Sequence, residues 1–180
     1  MADDSDNDGQ RFDRLPTTPE DREVSGRASR QEVLDWWEER FGVPPERFDG
    51  VTFWEKGAGK LWALSADLPS PVDAEGLGIT VLRTRQEHWK PTTSGVQRFA
   101  ADASKNVIEL SPGEAAAFAA GHDQDIDRWE GDWGYLVAAH ELGGELAPIG
   151  VGLYVYGELR STVPKGNQEE LAVLDEEENE

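Results

Sequence analysis

The chain has 180 residues, 37% of them hydrophobic, with seven Trp, no Cys and a formal charge of −20 at pH 7. That length suits one ordinary domain or two small ones sharing a core, and the missing thiols exclude disulfide scaffolds and thiolate metal sites. No run of eighteen apolar residues and no basic-then-hydrophobic N-terminal region occurs, so neither a membrane span nor a secretory signal is expected, and a cytoplasmic location is the default.

Residues 1–25 carry eight acids against three bases, and residues 169–180 carry seven acids and no base. Both are expected to be solvated, disordered tails. The carboxylate excess persists between them. With twelve Arg and only five Lys, the composition is similar to that of salt-in halophiles, whose hydrated carboxylate surface keeps proteins soluble in concentrated salt. An acidic mesophilic protein is the alternative.

The first regular element is expected in "SRQEVLDWWEERFGVPPERF". Ser29 and Glu32 form a capping box, Val33, Trp37 and Phe41 recur every four residues with Leu34 beside them, and Gly42 with Pro44-Pro45 ends the helix. "GVTFWEKG" and "KLWALSADL" are rich in β-branched and aromatic residues and are separated by Gly57, Ala58 and Gly59, which predicts a hairpin. "GLGITVLRTR" predicts a further strand. After Pro91, the stripe Val96, Phe99, Ala100 and Ala103 predicts a helix with one buried face. On its other face Arg98 and Lys105, seven apart, would lie nearly together.

"NVIEL" then predicts a strand, and "SPGEAAAFAAG" a short helix with Ser111 as cap, Pro112 at the first position, Glu114 completing a second box and Gly121 at the end. The acidic loop "HDQDIDRWEGD" leads to the strand "WGYLVAAHE", a Gly143-Gly144 turn and the strand "LAPIGVGLYVYG". Gly150 and Gly152 share one face of that last strand, which predicts a sharp bend or a close approach of another element. "ELRSTVPKG" is the closing strand. The order does not alternate as in a doubly wound sheet. It predicts an α+β protein, with a small mixed N-terminal unit over 26–90 and a C-terminal β-barrel-like unit over 91–168.

Catalytic constellations are missing from the sequence. "EKGAGKLW" lacks the spacing and the hydroxyl of a phosphate loop. His88, His122 and His140 form no metal-binding pattern. Asp123, Asp125 and Asp127 alternate as in calcium loops but lack the required Gly and bidentate Glu. No nucleophile elbow, dinucleotide turn or methyl-donor loop occurs, and without Cys the nucleophile of cytosine-5 methyltransferases is absent. Neither catalysis nor a metal or cofactor is expected.

One stretch runs against the charge of the chain. From Arg83 to Lys105 there are five bases (Arg83, Arg85, Lys90, Arg98, Lys105) and two acids (Glu87, Asp102). Arg98 and Lys105 on the exposed face of a helix, with Lys90, Thr92 and Thr93 just before it, suit contact with phosphates. Arg160, Ser161 and Lys165 would extend the surface. The alternative is that these bases pair with neighbouring carboxylates.

A family resemblance bears on the same residues. "GLGITVLRTRQEHWKPTTSGVQRFAADASKNVIELSPGEAAAFAAG" and "GYLVAAHELGGELAPIGVGLYVYGELRSTVPKG" resemble the pre-PUA plus PUA arrangement of the NIP family of ribosome-biogenesis proteins. They are also similar to the PUA-like C-terminal domain of NOL/NOP/Sun RNA cytosine-5 methyltransferases. The shared features are "KPTT", "A.KNVIEL", "GY" opening a strand and "P.G.GLY..G.L.S..PKG", in that order over Gly76 to Gly166, with a looser likeness beginning near Ser29. The resemblance implies a pre-PUA-like unit followed by a PUA-like pseudobarrel that binds structured RNA, ribosomal or transfer, without catalytic activity. It places Lys90, Thr92 and Thr93 at the junction before the PUA-like unit, and Arg160, Ser161 and Lys165 on an RNA-facing closing strand. The chain departs from the pattern after "PKG", where "NQEEL" turns acidic, and it lacks a methyltransferase domain.

In molar salt the Debye length falls to about 3 Å and counterion release no longer drives association, so RNA contact has to rest on direct pairing of a few bases with phosphate. The expectation is therefore a non-catalytic, cytoplasmic RNA-binding protein acting in rRNA or tRNA modification or ribosome biogenesis, from a halophilic archaeon. The alternative is a protein-interaction adaptor or accessory subunit, docking through Trp36, Trp54 and Trp62 onto an RNA methyltransferase or ribosome-assembly factor.

Overall fold

The computed structural model describes residues 11–163. Helix α1 (Arg30–Phe41) begins where the sequence places it, with Ser29 accepting from the Glu32 backbone N–H and Glu32 accepting from that of Ser29. Gly42 ends it at φ 64°, a left-handed conformation that costs least without a Cβ. Val33, Trp37 and Phe41 are fully buried along one face. The prolines that follow lead into a 3-10 turn over Pro45–Phe48.

Five antiparallel strands form the first sheet in chain order: β1 (Phe12–Arg14), β2 (Thr52–Lys56), β3 (Lys60–Leu64), β4 (Ile79–Arg83) and β5 (Lys90–Pro91). The expected hairpin is β2–β3. Strand β1 corrects the expected disordered tail over 1–25, since Phe12–Arg14 of that segment pair with β2 and Pro19–Asp21 form a 3-10 turn. Phe12 is fully buried, meets the Trp62 ring edge-on at 5.4 Å, and exchanges two backbone hydrogen bonds with Val72. Burying one Phe stabilises by about 1.5–3 kcal/mol, and together with the pairing to β2 and the bonds to Val72 it offsets the cost of ordering a short segment whose composition is otherwise that of a tail. The expected tail over 169–180 lies outside the described residues.

Helix α2 (Thr93–Phe99) also departs from expectation, since it stops short of Ala103. Ser104 and Lys105 both donate their backbone N–H to the Phe41 carbonyl at the end of α1, where helix carbonyls lack intrahelical donors. Capture there pulls the chain out of the helical path. Lys105 is thus not on α2, and it shares no helix face with Arg98.

The second sheet contains β6 (Val107–Glu109), β7 (Gln124–Asp125), β8 (Gly134–Leu142), β9 (Glu145–Val155) and β10 (Glu158–Ser161), in the order β6-β8-β9-β10-β7. Among the described residues only the β6–β8 pair is parallel, and helix α3 (Pro112–Ala119) lies in the crossover between them. Strand β7 lies inside the expected acidic loop. It is held by β10 and by the Tyr154 hydroxyl, which donates to the Ile126 carbonyl at 2.7 Å. Close approach accounts for the two glycines of β9: a Cβ at Gly150 would stand 2.9 Å from the Phe118 ring of α3, and one at Gly152 would stand 2.4 Å from Leu159 Cδ1. Among the described residues no pairing joins the outer strands of either sheet into a ring, and no helix is long and apolar enough to cross a membrane.

The two sheets share a core. One cluster takes in Trp37 and Phe41 of α1, Phe53, Leu61 and Leu82 of the first sheet, Val96 and Phe99 of α2, and Val137 and Val151 of the second sheet. The expected boundary at residue 90 falls within β5 and marks a change of sheet within continuous packing.

Helix α3 carries its own acid-sensitive device. Arg128 donates to both oxygens of Glu114 at 2.7 Å, and with the Ser111 cap this outweighs partial burial and lowers the carboxyl pKa to about 2. A lowered carboxyl contributes stability above its unfolded value near 4.5, and that stability is lost as pH falls toward 2. Because Arg128 is half-exposed, Glu114→Gln is expected to cost only about 1 kcal/mol near neutral pH. Urea denaturation of both proteins over falling pH should show the difference shrinking below pH 4.5, and a constant difference would contradict the assignment.

Candidate nucleic-acid interface

The hairpin register brings basic residues together that are far apart in sequence. Arg83 on β4 is the cross-strand partner of Lys60 on one side and of Lys90 on the other. Directly opposed residues of antiparallel strands point to the same face, so Lys60, Arg83 and Lys90 form a row of three cations across β3, β4 and β5. Like charges in direct opposition are unfavourable. Burial lowers the Lys90 pKa, and the charge of Arg83 lowers it further.

Next to this row Arg83 and Lys90 line a cavity of about 150 Å³ together with Thr92, Thr93, Ser94 and Thr162, and among the described residues no carboxylate lines it. In a chain of charge −20 this is a local reversal. Thr92 caps α2: its hydroxyl accepts from the Gly95 N–H at 2.9 Å and donates to the Thr80 carbonyl at 2.6 Å. Thr93 is 4% exposed, and its Oγ1 has no hydrogen-bond partner among the described residues. Thr162 comes from the end of β10, and its hydroxyl donates to the Val151 carbonyl at 2.6 Å.

Of the residues singled out from the sequence, the fold brings together Lys90, Thr92 and Thr93. Arg98 is exposed on α2 but lies over a different hollow, where its carbonyl accepts from Arg47 at 3.2 Å. Lys105 is exposed beside the C-terminus of α1. Arg160 bonds Glu158 on its own strand at 2.7 Å, which is the carboxylate pairing raised as the alternative. Ser161 donates its hydroxyl to the Phe118 carbonyl and its N–H to Asp123, so both groups hold β10 in place. Lys165 lies outside the described residues.

Arg83, Lys60, Ser94 and Thr162 were not singled out. Arg83 belonged to the basic stretch, and its strand was legible, but its alignment with Lys60 and Lys90 is a property of pairing. The three histidines have separate surroundings, and among the described residues no group of His, Asp and Glu is placed to hold a metal ion.

The fold and site define an α+β protein of two sheets on a common core, with a cation row along one face. The model of a family of unknown function, DUF7122, matches residues 1–78, which carry β1 to β3 and α1 and end before the second sheet. No curated protein matches the chain.

Proposed function

We propose that this is a non-catalytic RNA-binding protein with a PUA-like second unit, acting in the cytoplasm on ribosomal or transfer RNA during modification or ribosome assembly. The observation that carries the reading is the row Lys60, Arg83 and Lys90 beside a hydroxyl-lined cavity that no carboxylate among the described residues lines. An RNA phosphate would relieve the repulsion between opposed cations. Short-range pairing of this kind survives salt that screens an extended field.

The test is filter binding of ribosomal RNA fragments and tRNA to the full chain in concentrated KCl. Arg83→Glu with Lys90→Glu is expected to weaken binding about tenfold or more, whereas Arg98→Glu, outside the row, should change it little. Binding should also weaken as pH rises through the lowered Lys90 pKa, because the cation is then lost. No RNA binding by the parent protein, or equal binding by the double variant, would refute the reading.

A further inference from the structure

The connection between β4 and β5 that sets Arg83 opposite Lys90 also forms one wall of a separate open groove of about 1020 Å³. Its apolar surface comes from Trp36 of α1, Trp89 of the connection, and Trp133 and Tyr135 at the start of β8. Trp133 is 54% exposed and packs edge-on at 4.8 Å against Tyr156, itself 85% exposed. Trp36, Trp89 and Tyr135 are partly buried against the core, so Trp133 with Tyr156 beside it supplies the exposed aromatic surface, of the kind that marks a recognition site.

The charge around these rings is negative. Asp35, Glu39 and Glu87 line the groove, are exposed, and form no ion pair among the described residues. Arg40, also in the lining, is already used by the fold, donating to the carbonyls of Tyr135 at 2.6 Å and Trp133 at 3.1 Å. Carboxylates around partly exposed indoles repel phosphate and favour a cation, which is held by charge and by the ring quadrupole together. The chain's own tails are excluded on sign: residues 1–10 hold four acids and no base, and the last twelve hold seven and no base. Of the three tryptophans expected to make an adaptor patch, only Trp36 reaches the groove. Trp54 is fully buried, and Trp62 packs against the small cluster around Phe12.

We propose that this groove docks an extended, arginine- or lysine-bearing peptide segment of a partner protein, its cationic side chains lying over Trp36 and Trp133 and paired with Asp35, Glu39 and Glu87. The site is distinct from the cation row, so one face would take an acidic ligand and the other a basic one.

Fluorescence anisotropy of a labelled Arg-Gly repeat peptide with the full chain tests this, with a Glu-Gly repeat as control. The Arg-Gly peptide is expected to bind and the Glu-Gly peptide not to. Trp133→Ala, and separately Asp35→Asn with Glu39→Gln, should each weaken binding about tenfold. Asp73→Asn with Glu75→Gln removes the same charge from exposed positions outside the groove and should leave it unchanged. Peptide binding that is absent, that falls equally in the Asp73/Glu75 variant, or that survives both groove variants would overturn the proposal. So would loss of RNA binding or of self-association, in place of peptide binding, on groove substitution. RNA binding of the groove variants is otherwise expected to match the parent, so failure here and failure of the RNA reading are separable.

Discussion

Trp37→Ala is expected to cost about 3–5 kcal/mol and to lower the stability of both sheets together. Trp37 is fully buried, and its ring lies 5.3 Å from that of Trp36, 5.6 Å from Phe41 and 5.9 Å from Phe48. The cluster it anchors includes Val137 and Val151 of the second sheet, so the cavity would be felt on both sides of residue 90. Trp37→Phe should cost clearly less. It leaves a smaller void and removes an indole N–H that has no hydrogen-bond partner among the described residues, a group that is costly to bury. Urea denaturation followed by far-ultraviolet circular dichroism and by tryptophan fluorescence would check both variants. Two separate transitions, with only one shifted, would show that the sheets do not share a cooperative core.

Arg27→Ala is expected to cost a similar amount, about 3–5 kcal/mol, through charge instead of volume. Arg27 is 6% exposed and stands 2.9 Å from Asp13 of β1 and 3.4 Å from Glu55 of β2, and Glu55 is itself 3% exposed. Burial raises the Glu55 pKa above its usual 4.5, and Arg27 opposes that rise. Without the guanidinium, Glu55 would be buried without its counter-charge and its pKa would rise further. A raised carboxyl favours the fold in its protonated form, so its stabilisation is present below 4.5 and is lost as pH climbs through the folded value. The variant should therefore fall furthest behind the parent at neutral and higher pH, and Glu55→Gln introduced with Arg27→Ala should restore part of the loss. Equal losses across that range, or no rescue by the second substitution, would remove the ion pair from the explanation. Because Asp13 is also a partner, the same variant should loosen β1, which hydrogen exchange of the backbone around Phe12 would detect.

Both predictions depend on contacts between segments far apart in the chain, and the sequence showed only one side of each. The Trp37 stripe was legible because Val33, Trp37 and Phe41 repeat at the helical period between a capping box and a Gly-Pro-Pro stop. That Val137 and Val151 complete its core was not legible, since a half-buried strand shows which face is apolar and not what covers it. Arg27 and Asp13 lay within or beside a stretch whose charge content reads as tail, and one fully buried Phe outweighs that composition only once β2 and Trp62 are there to receive it.

The candidate interface divides the same way. The excess of positive charge from Arg83 to Lys105, the "KPTT" residues and the two glycines of β9 were all evident from residue order, because charge, capping and the lack of a side chain are local properties. Strand pairing decided which of those charges meet: Lys60 joined Arg83 and Lys90, while Arg98, Lys105 and Arg160 were carried to other surfaces. The short reach of α2 has the same cause, since the free carbonyl of Phe41 competes for the N–H groups of Ser104 and Lys105. The sequence alone determined the helix starts, the hairpins and the local reversal of charge, all governed by interactions within a few residues. The tertiary structure decided the cation row, the acidic aromatic groove and the shared core, because register and packing are set by partners distant in the chain.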